Sequence, residues 1–161
     1  MFKTALCVES TNVPDLWFLT APLIFERLDD EIITVPAGFI SDLASVPHIM
    51  DWIPFLDRTG ASRRPAALHD WSYASLRWRG KEWCDDLLYE ALMAEGMTST
   101  QAEIYRRAVR WFGASAWAND GLRHPWDVNP SNLESNDFIS EATWQAWIAT
   151  LPTPNEDNPK R

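Results

Sequence analysis

Residues 64–80, RPAALHDWSYASLRWRG, constrain the fold of this chain more than any other stretch. Pro65 suits the first turn of a helix, where a backbone N–H has no partner, and Ser62 before it is a suitable N-cap. The apolar side chains that follow recur at helical spacing: Ala66, Ala67, Leu68, Trp71, Ala74 and Leu76. Because glycine commonly ends a helix, we predict a buried helix that stops before Gly80.

Polar side chains interrupt this apolar helix. His69 and Asp70 are adjacent, and Tyr73 lies one helical turn after His69, so the imidazole and the phenol share a face. A histidine beside a carboxylate, on a helix otherwise suited to burial, carries a desolvation cost unless the two groups are paired or used. This mismatch is the strongest functional signal in the sequence.

The next two predicted helices supply a partner for these groups. One covers residues 82–95, and the other begins at Thr98 with a capping box. Helices joined by short connections pack as antiparallel neighbours, and in a hairpin that turns near Gly80, Tyr73 comes close to the turn that carries positions 85 and 86. We therefore predict a polar site between the helices, formed by His69, Asp70, Tyr73 and either Asp85 or Asp86.

Three interpretations of this site are open. His69 is a general base, held in one tautomer by a carboxylate. Alternatively, the aspartates hold a hard cation, calcium or magnesium. In the third interpretation the groups form a buried polar network that fixes helix packing, or lie on solvated helix faces. The adjacency of His69 and Asp70 and the spacing of the partner favour a functional role.

A polar loop over residues 35–47, VPAGFISDLASVP, is the second feature that bears on a site. Two prolines bracket one glycine and several small residues, which predicts neither a regular helix nor a regular strand. Such a loop either crosses the surface or lines a site. We predict that it packs against the His69 helix and brings Asp42 toward Asp70, where the two carboxylates would share a cation.

The remaining patterns predict an α+β fold. Residues 2–8 alternate between apolar and polar side chains, residues 16–27 form an apolar run interrupted at Pro22, and residues 31–35 form a return strand. These segments predict a small antiparallel β region packed on the three-helix unit.

The distribution of polar residues divides the chain into two predicted regions. Residues 1–117 are predicted to form one globular α+β domain, and residues 118–161 an acidic, proline-containing arm that is extended from Ala118 onward. Within the arm, residues 140–151 are predicted to form a helix, followed by a polar tail. This helix would dock through an apolar stripe: Trp144, Trp147, Ile148 and Leu151.

Composition excludes several classes of protein. The net charge of −9 argues against duplex nucleic acid as a partner, because the phosphate backbone selects positively charged proteins. No apolar run has the length of a transmembrane segment or the form of a signal peptide. The two cysteines, Cys7 and Cys84, are expected to be free thiols in a reducing compartment rather than a disulfide framework.

Taken together, the motifs resemble a bacteriophage and prophage family known only as a domain of unknown function. The resemblance covers residues 17–117 and is carried by VPAGFISDLASVP, AALHDWSY, CDD and VRWFGASAW. Ser41 and His48 stand where threonine and arginine are the commoner residues of that family. The resemblance implies a phage or prophage origin, synthesis in the cytoplasm of a bacterial host, and a final location there or in the virion. It implies no established activity.

A second resemblance is local. The pattern A-x-x-H-D-x-x-Y, followed by a glycine and an aspartate on the next helix, is similar to the core of phospholipase A-two enzymes. In that family the histidine is the base for a water, the adjacent aspartate holds calcium, and the tyrosine and second aspartate orient the histidine. The matching positions are His69, Asp70, Tyr73 and Asp86 or Asp85. Those enzymes have a glycine-rich calcium loop upstream, whereas residues 35–47 contain Gly38 alone, and Asp42 would supply an oxygen ligand instead.

Two functional hypotheses result. The first is a phage-encoded, metal-assisted hydrolase of an ester or related bond, with His69 as base, calcium or magnesium as cofactor and a lipid or other ester as substrate. The second is a non-catalytic virion or tail component that contacts other phage virion proteins, in which the HD-x-x-Y network is structural. A concave pocket that holds His69, Asp70 and Asp42 favours the enzyme, whereas full burial with every group paired favours the structural role.

Overall fold

The structure, a computed structural model, describes residues 1–10, 16–43 and 61–123, with side chains as far as residue 118. The strands are β1 (Val8–Ser10), β2 (Trp17–Leu19), β3 (Leu23–Glu26), β4 (Ile32–Val35) and β5 (Ile40–Ser41). The helices are α1 (Arg63–Ser75), α2 (Lys81–Ala94), α3 (Ser99–Phe112) and α4 (Ala114–Arg123). Small antiparallel sheets beside three main helices confirm the predicted α+β class.

The strands form two small sheets. In the first the order is β1-β2-β5, with both pairs antiparallel, and in the second β3 pairs antiparallel with β4. The apolar run predicted over residues 16–27 is divided at Pro22 into β2 and β3, because proline cannot donate to a ladder. The strand predicted over residues 2–8 is largely absent: Phe2 makes an isolated bridge to Phe25, and β1 begins only at Val8.

The loop over residues 35–47 contains a short strand that was not predicted. Ile40 and Ser41 form β5 and pair with Phe18 and Trp17 of β2. Two residues are too few to give a period in the sequence, so only the tertiary pairing reveals the strand. Residues 44–47 of this loop lie outside the described residues.

The helices begin and end close to the predicted positions. Between α1 and α2 the chain makes a 3-10 turn over Arg77–Arg79 and then passes through Gly80, whose φ of 89° is a backbone conformation that favours glycine. Thr98 and Gln101 form the predicted capping box at the start of α3. At α1, by contrast, the Ser62 side chain makes no capping hydrogen bond, and its carbonyl oxygen accepts from the Ala66 N–H.

A continuous apolar core joins both sheets to α1 and α2. Its buried members are Leu19, Leu23, Phe25, Ile33, Val35, Phe39, Ala67, Leu68, Trp71, Leu87 and Ala91. A second buried cluster lies between α2 and α3: Leu88, Leu92, Ala102, Tyr105 and Val109. Each large side chain buried in this way contributes roughly 1.5–3 kcal/mol before entropy costs, so α1 and α2 are held firmly where their polar residues meet.

The helix α4 corrects the prediction of an arm that is extended from Ala118. The chain continues in helical form to Arg123, with the Trp117 N–H bonded to the Gly113 carbonyl oxygen at 2.8 Å. The Arg77 guanidinium donates to the Trp117 carbonyl oxygen at 2.6 Å and lies 4.3 Å from the centroid of its ring, which anchors the start of α4 to the 3-10 turn after α1. The predicted domain boundary at residue 117 therefore falls inside a helix. The rest of the arm, including the helix predicted over residues 140–151, lies outside the described residues.

Candidate active site

The carboxylate of Asp85 is the centre of a buried polar cluster. Asp85 has no exposed surface. Its Oδ1 accepts a hydrogen bond from the Tyr73 hydroxyl at 2.6 Å and lies 3.4 Å from His69 Nε2. Its Oδ2 accepts from Lys81 Nζ at 2.9 Å, and Arg110 Nε is 3.6 Å away. Each carboxylate oxygen thus faces donors from a different side, and side chains from α1, α2 and α3 surround Asp85.

Helical spacing explains how these side chains meet. His69 and Tyr73 are four residues apart on α1, and their ring centroids lie 4.1 Å apart. Lys81 and Asp85 are likewise four apart on α2, which brings the ammonium and the carboxylate to one face. The turn at Gly80 sets the two pairs opposite each other. We define the buried cluster as His69, Tyr73, Lys81 and Asp85.

Electrostatics keep the carboxylate charged and the imidazole neutral. Burial on its own raises the pKa of the Asp85 carboxyl, but the surrounding hydrogen-bond donors together lower that pKa below its ordinary value of 3.8. Burial lowers the pKa of His69 below its ordinary 6.5, with Lys81 acting in the same direction and Asp85 against it. At neutral pH the ring therefore carries one proton, and facing a carboxylate places that proton on Nε2.

Gly113 allows the end of α3 to approach the cluster. A Cβ at this position would lie 3.0 Å from the Tyr73 hydroxyl and 2.3 Å from the Val109 carbonyl oxygen. The Gly113 N–H already donates to that oxygen at 2.8 Å. Any larger residue would have to displace backbone, so glycine is required here for close packing.

Asp70 is held on the neighbouring side of α1 by the polar loop. Its Oδ2 accepts a hydrogen bond from the Ser41 hydroxyl at 2.5 Å, and Ser41 is itself buried. The Ser41 oxygen in turn accepts from the Leu43 N–H at 2.9 Å, in a turn where Leu43 has a φ of 54°. The loop therefore packs on α1, as predicted, as far as it is described. Asp42 lies in this turn, next to Ser41, and is exposed.

The two candidate aspartates of α2 are separated by the structure. Asp85 joins His69 and Tyr73, whereas Asp86 faces outward. Asp86 Oδ1 accepts from Arg106 at 2.8 Å and from Arg110 at 3.3 Å, both on the outer side of α3. Of the alternatives that the sequence left open, Asp85 is the partner of Tyr73 and Asp86 is a surface ion-pair residue.

Lys81 and Ser41 belong to this region but were not predicted as site residues. The sequence signal for Lys81 is its position four residues before Asp85, at the start of a helix. Ser41 is visible in the sequence only as a small polar residue in a loop, and its bond to Asp70 depends on tertiary packing. Cys84 beside Asp85 is not a suitable nucleophile, because burial raises the pKa of its thiol to about 11.

Metal ligands and membrane-spanning helices are two further features that bear on function. Among the described residues, no cluster of three or more His, Cys, Asp or Glu side chains is arranged to hold a metal ion. In the same part of the chain, no helix combines the length and the apolar character needed to cross a membrane. Asp70 and Asp42 thus stay predicted cation ligands.

Comparison with known proteins identifies a family. Neither the curated proteins nor the solved structures contain a match to this chain. A family model described as Protein of unknown function (DUF1353) matches residues 17–113. The match includes both sheets except β1, the helices α1 to α3, and every residue of the buried cluster. The chain therefore belongs to the DUF1353 family of proteins of unknown function.

Proposed function

We propose that this protein hydrolyses an ester or related bond, with His69 as general base. The observation that carries the proposal is the contact between His69 Nε2 and the ionised, fully buried carboxylate of Asp85. A neutral imidazole whose Nε2–H faces a carboxylate has its other nitrogen, Nδ1, in the unprotonated form. That arrangement is the one a histidine needs in order to accept a proton from water.

The proposed reaction uses His69 as base and Asp85 as the charge that stabilises it. Nδ1 of His69 accepts a proton from a water while the water oxygen attacks the carbonyl carbon of the substrate. Asp85 stabilises the imidazolium that forms, since its negative charge is already desolvated and fixed in position. The bond to the leaving-group oxygen then breaks, and the imidazolium returns its proton to that oxygen. Tyr73 orients the carboxylate through its 2.6 Å hydrogen bond.

A cation at Asp70 is a further part of the proposal. Asp70 adjoins the base in the sequence, is half-buried, and is oriented by Ser41. With Asp42 it offers two carboxylates to calcium or magnesium. Calcium takes about six to eight oxygen ligands, so waters and substrate oxygens would complete its shell. When bound, such a cation would stabilise the negative charge that develops on the carbonyl oxygen.

Origin and location belong to the proposal as well. The motif resemblance supports a phage or prophage protein that is synthesised in the cytoplasm of a bacterial host. A lipid or another ester found in that host is the class of substrate that fits the local resemblance to phospholipase A-two enzymes.

Hydrolysis by wild-type protein and two variants tests the proposal. The substrates are p-nitrophenyl esters and phosphatidylcholine vesicles, each with calcium, with magnesium and with EDTA. We expect His69→Gln to lower the rate by about 10²–10⁴-fold, the usual contribution of a general base. The control Asp86→Asn changes an exposed acid on α2, next to Asp85, and should leave the rate unchanged. An equal rate for His69→Gln, or no hydrolysis by the wild type, would contradict the proposal.

Burial favours a second candidate function. His69 is only 4% exposed, Asp85 is fully buried, and the cluster ties α1 to α2. A network of this kind also fits a non-catalytic virion or tail component, in which it sets the packing of the helices. In that case His69→Gln lowers the unfolding midpoint and abolishes no activity, and mass spectrometry should detect the protein in purified phage particles.

A further inference from the structure

We propose that one face of α3 is the docking surface for the C-terminal segment of this chain, residues 140–151. We call this surface the exposed face of α3, and it consists of Thr100, Ile104, Arg107 and Trp111, which recur at helical spacing. The docking segment lies outside the described residues, and its apolar stripe is taken from the sequence. The inference goes beyond the proposed hydrolase function and does not depend on it.

Two large aromatic side chains at the end of α3 are open to water. Trp111 is 71% exposed, and its neighbour Phe112 is 47% exposed. A large aromatic side chain covers about 150–250 Å² when it is buried, so the pair leaves roughly 200–300 Å² of aromatic surface uncovered. Single exposed apolar residues are common, but two adjacent aromatic residues form a patch, and such patches mark interaction sites.

An open groove between α2 and α3 adjoins this patch. It has a volume of about 480 Å³ and is lined by Tyr89, Ser99, Thr100, Glu103, Ile104 and Arg107. Arg107 lies four residues before Trp111, so the groove leads along α3 toward the aromatic patch. A groove with apolar and aromatic side chains is the kind of surface on which an amphipathic helix docks by one face.

The apolar stripe of the C-terminal segment matches the exposed face of α3 in length. Trp144 and Leu151 are seven residues apart, which is about two helical turns, and Ile104 and Trp111 are also seven residues apart. In each helix about 10 Å of axis therefore carries the apolar side chains. Two aligned helices can bring the stripe onto the face along its whole length.

The charges of the two surfaces are complementary. The Arg107 side chain is 64% exposed, and its partner Glu103 is shared with Arg106, so this part of α3 has an excess of positive charge. Residues 124–151 contain no Lys or Arg and four acidic residues: Asp127, Glu134, Asp137 and Glu141. Complementary charge contributes little affinity at an exposed surface, but it favours this segment over a basic one.

A tethered segment suits this face better than a second molecule does. The aromatic patch is far smaller than the about 800 Å² per partner that a stable protein–protein interface buries. A segment of the same chain is present at an effective concentration of millimolar order, so it needs less surface. The chain leaves α3 through α4, which is 10 residues or about 15 Å long. Residues 124–139 reach up to about 50 Å when extended, which is enough to return to α3.

Hydrogen exchange of the full-length protein, followed by mass spectrometry, tests the docking. A helix as short as residues 140–151 is marginal on its own, so protected amides over residues 144–151 report docking. We expect this protection in the wild type. In Trp111→Ser these amides should exchange about tenfold faster or more, because the segment then opens locally. Trp147→Ser should have the same effect, and the double variant should exchange no faster than either single variant, since each change breaks the same contact.

Trp78→Ser is the matched control. Trp78 is a tryptophan of similar exposure, 69%, in the 3-10 turn, and its replacement should leave the exchange of residues 144–151 unchanged. Unprotected amides in the wild type, or protection that survives Trp111→Ser, overturn the proposal. An equal loss of protection in Trp78→Ser does so too.

Sedimentation at several protein concentrations identifies the occupant. We expect protection that is independent of concentration and lost without a change in mass. Protection that rises with concentration, together with a dimer that Trp111→Ser dissociates, overturns the proposal because the occupant is then a second copy. If Trp111→Ser does not fold, Arg107→Glu takes its place: it repels the acidic segment and should raise the exchange of residues 144–151, and an unchanged exchange there overturns the proposal.

Discussion

Two groups of charged side chains in this domain are similar in chemistry and different in burial. The buried cluster of His69, Tyr73, Lys81 and Asp85 surrounds a carboxylate with no exposed surface. The second group, which we call the surface network, joins the β3–β4 hairpin to the helical hairpin. Its members are Arg27, Glu31, Arg79 and Glu90.

The surface network has more ion pairs than the buried cluster, but each of them is expected to contribute less to folding stability. Arg27 pairs with Glu90 at 3.1 Å and with Glu31 at 3.0 Å, and Arg79 also pairs with Glu31. The side chain of Glu31 is 30% exposed, so water screens its charge and can replace a lost partner. Water has no such access to Asp85. The comparison therefore predicts that the environment, and not the number of ion pairs, determines the cost of removing a group.

The largest effect is expected from Asp85→Ala. This change leaves the Lys81 ammonium and the Tyr73 hydroxyl without their buried acceptor, and breaking a buried pair in this way costs about 3–5 kcal/mol. Urea unfolding followed by circular dichroism measures the loss. The matched control is Asp86→Ala, its exposed neighbour, for which we expect at most about 1 kcal/mol. Similar losses for the two variants would show that burial does not distinguish these carboxylates.

A smaller loss is expected from Tyr73→Phe. The variant removes the 2.6 Å hydrogen bond to Asp85 Oδ1 and keeps the ring that packs on His69. A hydrogen bond to a charged group is worth about 1.5–3 kcal/mol, which sets the expected loss of stability. Tyr89→Phe, a half-buried tyrosine outside the cluster, is the control in the same urea titration. A loss of the same size in both variants would contradict the expectation that the hydrogen bond from Tyr73 to Asp85 stabilises the fold.

Folding stability should decrease at acidic pH, as expected for a histidine that is buried in its neutral form. In the unfolded chain His69 takes up its proton near pH 6.5, whereas burial lowers its pKa in the folded state. Below about pH 6.5 the unfolded state therefore binds more protons, and stability falls as the pH drops toward the native pKa, by at most about 1.4 kcal/mol per pH unit. Above pH 6.5 the ring is neutral in both states and the penalty is absent.

Asp85 contributes in a separate, more acidic window. Its pKa is lowered in the folded state, so its stabilising effect is complete above about pH 3.8 and is lost as the pH falls from there toward the native pKa. Urea unfolding at a series of pH values should show two regions of falling stability. The variant His69→Gln should lose the upper region and keep the lower one. An upper region that persists in His69→Gln would assign it to another group.

Much of this arrangement could be predicted from the sequence, because local rules determine it. Periodic apolar residues and Gly80 place α1 and α2, and helical spacing puts Tyr73 level with the turn that holds Asp85 and Asp86. The choice between the two aspartates could not be made, since neighbouring residues on a helix point about 100° apart and the register of two packed helices is a tertiary property.

The features that escaped prediction depend on contacts between distant segments. Lys81 bonds the carbonyl oxygen of Val109, Ser41 bonds Asp70, and Arg77 anchors Trp117. None of these bonds has a periodic sequence signal. The helix α4 was missed because the polar, proline-containing sequence after Ala118 indicated an extended arm.

The smallest loss of folding stability is expected from a substitution in the surface network. Glu31→Gln removes the carboxylate shared by Arg27 and Arg79 while it keeps the size of the side chain. Because the Glu31 side chain is 30% exposed to water, and Arg27 retains Glu90, we expect a loss below about 1 kcal/mol. Added salt should shrink this loss further, since exposed charges are screened within about 10 Å at 0.1 M salt. The loss caused by Asp85→Ala should be nearly independent of salt, because the buried carboxylate is shielded from ions. Urea titrations of both variants at low and high salt measure the two responses, and an equal salt dependence would mean that the cluster around Asp85 is hydrated after all.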